Sequence, residues 1–183
     1  SPHVTGTVAL LQEFAETHIR SQPRWDGDAR RHEVMKVVLM NSADKIEGIL
    51  GMEKTITQTD GKTTWFDSDA FTKKEIPLDI QLGTGQLNAS RALTQFKPGE
   101  RDQDIGILTP VPVIGWDYGF TQQASEVSKY VFDKPLMKDS YVSITLAWDR
   151  KVSLTTDLNN NGAYDVGEGF KSDGLTNLDL FLL

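Results

Sequence analysis

Ser1-Pro2-His3-Val4-Thr5-Gly6-Thr7-Val8-Ala9-Leu10-Leu11 opens the chain with the pattern of a packed helix. Val4, Val8, Leu11 and Ala15 recur at helical spacing on one face, and Gly6 and Ala9 leave a shallow flank where another backbone can approach. Pro2 suits a first turn, where its missing N–H has no intrahelical partner to lose. The pattern predicts a buried helix over 4–20 whose true start lies at or before Ser1. Pro23 marks its end by biasing the preceding residue away from helical angles.

Outward from this helix, residues 29–40 repeat the period. Val34, Val37, Val38 and Leu39 or Met40 are expected inside, with Arg30, Arg31, Glu33 and Lys36 toward solvent. Residues 45–80 are mostly polar, carry Asp60-Gly61 as a turn signal, and read as an insertion pinned by Trp65, Phe66 and Phe71. A short helix is predicted over 87–96, with Asn88 as N-cap and Lys97-Pro98-Gly99 as its stop. Pro110 and Pro112 stiffen an extended connector over 101–112. Beyond it the period becomes two. Residues 113–118, 128–132 and 140–148 read as strands rich in β-branched and aromatic side chains, and Val142, Ile144, Leu146 and Trp148 form the expected core face of the third. Residues 178–183 read as a further strand that ends with the sequence.

A chain of 183 residues can bury a proper core, as one domain or one and a half. Its net charge of -7, with no cluster of Lys and Arg, argues against a nucleic-acid partner. Residues 1–100 carry 12 basic and 14 acidic groups and residues 101–183 carry 7 and 12, so the second half is the one that calls for cations. No apolar run approaches the ~18 residues of a membrane span, and no signal peptide is visible. The absence of cysteine removes disulfides, zinc thiolates and thiol catalysis, and it fits an extracellular or an intracellular setting.

Three stretches resemble, in order, the subtilisin-like serine proteases. Ser1 to Gly6 is similar to the second half of the family's Gly-Thr-Ser-x-Ala-Ser/Ala-Pro-His-Val-x-Gly motif, which places the nucleophilic serine at the start of a buried central helix. Arg30-Arg31-His32-Glu33-Val34-Met35-Lys36-Val37-Val38-Leu39-Met40-Asn41-Ser42-Ala43-Asp44 resembles the next helix and its Asn-Ser-Ala turn. Leu82-Gly83-Thr84-Gly85-Gln86-Leu87-Asn88-Ala89-Ser90-Arg91-Ala92-Leu93 looks like the closing segment Gly-x-Gly-x-(Val/Leu)-(Asp/Asn)-Ala-x-x-Ala-Leu. Larger members append a β-sandwich with a Thr-Leu-x-Trp-(Asp) strand and an Asp-Leu-Asp-Leu-Tyr-like strand. Thr145-Leu146-Ala147-Trp148-Asp149 and Asn177-Leu178-Asp179-Leu180-Phe181 stand in those places.

The resemblance implies an α+β chain, incomplete at both ends. Residues 1–100 would be the C-terminal portion of an α/β catalytic domain, 101–112 a linker, and 113–183 an antiparallel β-sandwich. It also implies that the nucleophile, the triad histidine and aspartate, and the oxyanion asparagine lie upstream of Ser1. No catalytic residue is therefore assigned, and His3 has a structural place in the motif. The implied function is that of a non-catalytic C-terminal fragment of a secreted or cell-surface serine endopeptidase, inactive alone, whose parent cleaves polypeptides through an Asp-His-Ser triad. The sheet that normally surrounds the central helix is missing, so the expected partners are the N-terminal part of the protease or a second copy of the chain.

The sharpest site pattern is Asp157-Leu158-Asn159-Asn160-Asn161-Gly162-Ala163-Tyr164-Asp165-Val166-Gly167-Glu168. Oxygen-bearing side chains occupy positions one, three, five, nine and twelve, and glycine occupies position six, the arrangement a calcium loop requires. Asp157, Asn159, Asn161, Asp165 and Glu168 are the expected side-chain ligands, Asp165 directly or through water, with the Ala163 carbonyl as a further one. Residues 151–155 before the loop read as strand and 169–174 after it as turn, so the loop is placed between two strands of the sandwich rather than in a helix-loop-helix hand. With three carboxylates and no preformed helices, Ca2+ should bind weakly, on the order of 10⁻⁴ to 10⁻³ M, in a structural role.

Other candidates are weaker. His3, His18 and His32 have no spacing that pairs ligands on one helix face. Gly83-Thr84-Gly85 lacks the strand-turn-helix setting of a phosphate loop. The serines have no visible base and orienter. Asp67 and Asp69 could flank a second cation, although a solvated acidic turn is the plainer reading. The alternative function is a calcium-binding β-sandwich module, a binding or surface domain without protease activity.

Overall fold

Helix α1 (Pro2–Ile19) begins on the proline that the sequence places in a first turn. It ends where the backbone N–H groups of Ser21 and Gln22 both reach the His18 carbonyl, at 2.9 and 3.0 Å, just before Pro23. This computed structural model describes residues 1–49, 52–55, 67–73, 75–76, 78–80, 82–101, 110–121, 127–138, 140 and 142–182. The chain mixes helix and strand and divides into two compact units, Ser1–Thr145 and Leu146–Leu183.

In the first unit, α1 buries Thr7, Leu11 and Ala15 and packs Val8 and Phe14 partly against the core. The stripe is turned from the expected one, because Val4 remains 40% exposed while Thr7 is inside. Thr7 tolerates burial because its hydroxyl donates to the His3 carbonyl at 2.9 Å. Only one face of α1 is therefore buried, and the described residues supply no parallel sheet around it.

The expected second helix is split. A 3₁₀ turn (Gly27–Arg30) is capped by the Asp26 carboxylate, which accepts from the Asp28 N–H at 2.7 Å. Arg31 is extended, and helix α2 (His32–Asn41) then buries Val34, Met35 and Val38. Strands β1 (Ile46–Ile49) and β2 (Met52–Thr55) form an antiparallel hairpin in the stretch that reads as an insertion. It is followed by the single turn α3 (Asp69–Thr72). Phe71 is 46% exposed there, and Trp65 and Phe66 lie outside the described residues.

Helix α4 (Ala89–Phe96) is capped as its sequence predicts, with Asn88 Oδ1 accepting from the Arg91 N–H at 2.8 Å. Ala92, Gln95 and Phe96 form its buried face. Phe96, with no solvent exposure, sits between two tryptophans: edge-on to Trp25 with centroids 5.0 Å apart, and stacked on Trp116 at 5.5 Å. The Trp116 indole N–H donates to the Phe96 carbonyl at 3.0 Å, a second donor beside the Gly99 N–H at 3.1 Å. Gly99 follows with φ +79, and a Cβ there would lie 2.8 Å from the Arg24 carbonyl oxygen. Gly99→Ala is therefore expected to cost about 1–3 kcal/mol through backbone strain, seen as a lower urea midpoint with an unchanged slope.

The region expected to form a β-sandwich is where the structure departs most from the reading. Among the described residues of 113–183, the strands are β3 (Val152–Leu154) and β4 (Phe170–Ser172), and no β-sandwich is evident. Trp116 makes an isolated parallel bridge to Glu100, and Phe132 another to Val111. In the third expected strand Val142, Ile144 and Leu146 stay 41–43% exposed. Its polar face is the one that is used: the Ser143 and Thr145 hydroxyls each donate to Asn41 Oδ1 at 3.0 Å, at the end of α2. Those bonds fix the orientation against the hydrophobic alternation. Residues 178–182 of the last expected strand contain none, and Leu183 lies outside the described residues.

Candidate metal centre

The second unit is built on the antiparallel hairpin β3–β4, in register Val152 with Ser172 and Leu154 with Phe170. The calcium-like loop lies between these strands and belongs to no helix-loop-helix hand. The strand after the loop, β4, occupies residues that read as turn in the sequence. Gly169 continues the pairing, since its carbonyl accepts from the Thr155 N–H at 2.8 Å.

Within the loop the side-chain oxygens fold back on the backbone. Asp157 accepts from the Asn161 N–H at 3.2 Å and from the Gly162 N–H at 2.9 Å, one through each oxygen. Asn159 Oδ1 also takes the Asn161 N–H at 3.1 Å, and Asn161 Oδ1 takes the Ala163 N–H at 2.7 Å. Asp165 Oδ2 receives the side-chain NH2 groups of Asn159 and Asn161, at 2.6 and 2.9 Å. Glu168 closes the circuit by accepting the Leu158 N–H at 2.7 Å on one oxygen and the Asp165 N–H at 2.9 Å on the other. Asn160 at φ 56 and Gly162 at φ 73 provide the left-handed angles of the tight turn. A Cβ on Gly162 would meet nothing within 4 Å, so the requirement for glycine there is one of angle and not of space.

The predicted side-chain ligands Asp157, Asn159, Asn161, Asp165 and Glu168 are thus joined in one hydrogen-bonded loop. Ala163 takes part through its N–H. Three carboxylates share it, and among the described residues no Lys or Arg forms a salt bridge with any of them. Acceptance of a cation would require Asn159 and Asn161 to turn their amides end for end, replacing NH2 groups by oxygens. Glu168 needs no such change, because each of its oxygens has lone-pair capacity beyond the one amide it accepts.

The histidines stand apart from one another. His3 is exposed. His18 hydrogen-bonds the Phe14 carbonyl at 2.7 Å through Nδ1 and stacks on the Phe14 ring at 4.0 Å, and His32 lies 3.2 Å from the Glu33 carboxylate. Asp69 pairs with Lys73 at 2.9 Å, one helical turn away, and Asp67 is exposed. Gly83 and Gly85 belong to a tight turn in which Asp79 accepts the Leu82 N–H at 2.7 Å. Sequence reading missed one acidic group, Asp26, Asp28 and Glu100, whose carboxylates come within 4.8 Å of one another. Glu100 is remote in sequence, so no spacing could have signalled it, and Asp26 and Asp28 already serve as helix cap and partner of Arg31. An open cleft of about 330 Å³ at the ends of α1 and α4 is lined by His18, Arg24, Trp25 and Lys97 among others, and no nucleophile and base pair in it.

The second and third of the protease-like stretches meet in the first unit, while Ser1–Gly6 is exposed throughout. Asp44, which closes the second, exchanges backbone hydrogen bonds of 2.7 and 3.0 Å with Gln86 of the third. Its carboxylate also takes the Asn88 side chain and the Arg91 guanidinium, both at 2.8 Å. Burial pushes the neighbouring Lys45 amine below its ordinary pKa, Arg91 adding to the effect and Asp44 opposing it. Asn41 of the second stretch also donates to Gln95, just beyond the third, at 3.2 Å. Leu11 and Ala15 of α1 belong to the same core as Ala92 and Phe96. Comparison with protein-family models, curated proteins and solved structures gives no match.

Proposed function

We propose that this chain belongs to the C-terminal side of a subtilisin-like serine endopeptidase, where it acts as a non-catalytic scaffold with a structural calcium site at residues 157–168. The observation that carries the reading is that the second and third motif stretches, far apart in sequence, are joined through Asp44, Gln86 and Asn88, and that the helix opened by the first contributes Leu11 and Ala15 to the core that holds Val34, Val38 and Ala92. On this reading the Asp-His-Ser triad comes from upstream of Ser1, and the substrate of the parent enzyme is a polypeptide. The parent works outside the cell or on its surface, and the missing N-terminal part completes the exposed side of α1.

Treatment with a fluorogenic peptide and with a serine-directed phosphonate tests the assignment. The isolated chain is expected to turn over no substrate and take no label; labelling of any serine here would overturn it. The second reading, a calcium-binding module with no protease, is favoured by the closure of the loop within its own hairpin. A reading frame that encodes Gly-Thr-Ser directly before Ser1 selects the protease, and a start codon there selects the module.

A further inference from the structure

We propose that Asn161–Gly162 is a self-modification site, at which the Gly162 backbone nitrogen attacks the Asn161 side-chain amide and the asparagine becomes aspartate or isoaspartate with loss of ammonia. The reaction needs no cation and does not depend on the role of any parent protease. Asn161 is the one asparagine of the sequence that precedes a glycine. A side chain on the following residue hinders the approach of its nitrogen, and Gly162 has none. The surroundings are open as well, since a Cβ on Gly162 would meet nothing within 4 Å and both residues are exposed to water.

The groups around this pair match what an acyl-transfer step demands. The attacking nitrogen must shed a proton, and the Gly162 N–H donates to Asp157 Oδ2 at 2.9 Å. The carbonyl under attack must gather negative charge, and Asn161 Oδ1 accepts the Ala163 N–H at 2.7 Å. The amide nitrogen that must leave donates to Asp165 Oδ2 at 2.9 Å, so both ends of the side-chain amide are fixed. In the step itself the bond from Gly162 N to Asn161 Cγ forms and the bond from Cγ to Nδ2 breaks. The Gly162 proton passes to Asp157 and then, through water, to the departing NH2, which leaves as ammonia. Water next opens the cyclic imide at either carbonyl, giving aspartate on the original backbone or isoaspartate with a methylene added to it. Nothing is oxidised or reduced. The product has no NH2 to offer Asp165, so two carboxylates face each other where an amide and a carboxylate were bonded.

Peptide mapping of the full chain by mass spectrometry, in EDTA at neutral pH, tests the site in the native state and in guanidinium chloride. The mass step of NH exchanged for O reads conversion, and labelling by an isoaspartate methyltransferase reads the isoaspartate share. Conversion at Asn161 is expected to run roughly tenfold or more faster in the native chain than in the unfolded one, because base, oxyanion donor and held amide exist only in the folded loop. Asn41, Asn88 and Asn159 should stay unchanged over the same time. Asp157→Asn should bring the native rate at Asn161 down to the unfolded one while leaving the near-UV signal of Trp25 and Trp116 in place. A native rate equal to or below the unfolded rate would overturn the proposal whatever the variant does. Undiminished conversion in Asp157→Asn would overturn it too.

Discussion

Phe96→Ala is expected to cost the helical unit about 3–5 kcal/mol, enough to unfold much of it at room temperature. The ring is fully buried, touches the rings of Trp25 and Trp116, and lies 6.3 Å from that of Phe14. Its removal leaves a cavity that two tryptophans and a helix end cannot close without breaking the bond from the Trp116 indole to the residue 96 carbonyl. The measurement is a urea titration followed by far-UV circular dichroism and tryptophan fluorescence. A loss below about 1 kcal/mol would mean that Phe96 is not the centre of the unit.

Glu168→Gln carries the second large effect. The carboxylate accepts two backbone N–H groups, and an amide can accept one and must turn an NH2 toward the other. The loop is therefore expected to lose roughly 1–3 kcal/mol without any metal, because one part-buried N–H goes unsatisfied. The variant also loses the ligand at position twelve, so calcium affinity should fall by about tenfold or more. Melting curves in EDTA and in calcium separate the two losses. The native chain should melt higher in calcium, and the variant should show a clearly smaller rise. A variant that responds like the native chain would remove Glu168 from the site.

Much of the helical unit was legible in the sequence because its signals are local. Asn88 announced the start of α4, Pro23 the end of α1, and the loop from Asp157 to Glu168 declared its turn through Gly162. The misreadings share a physical origin: side-chain hydrogen bonds, local or long-range, overrode periodicity. Val142, Ile144 and Leu146 alternate as a core strand should, yet they stay exposed while Asn41 captures Ser143 and Thr145. Thr7 displaces Val4 from the buried stripe because its hydroxyl finds a carbonyl within the helix. The strand period at 113–118 hid the place of Trp116 in the helical core, since nothing local says that an indole will reach a helix end twenty residues earlier. In the loop the residue types pointed to a cation, but the amide-to-carboxylate bonds of Asn159 and Asn161 could be seen only in three dimensions.

The clasp of Trp116 on Phe96 also sets an order of events during synthesis. A ribosome delivers α1, α2 and α4 first, and at that point the Phe96 ring has Trp25 on one side and water on the other. The missing wall arrives only with residue 116, which stacks on the ring and caps the helix in one step. Up to then the nascent helices form a half-built pocket open to chaperones and proteases. Completion of this unit is therefore timed by the tryptophan that follows the Pro110–Pro112 stretch, and a chain halted at that stretch would have all three long helices and no closed core.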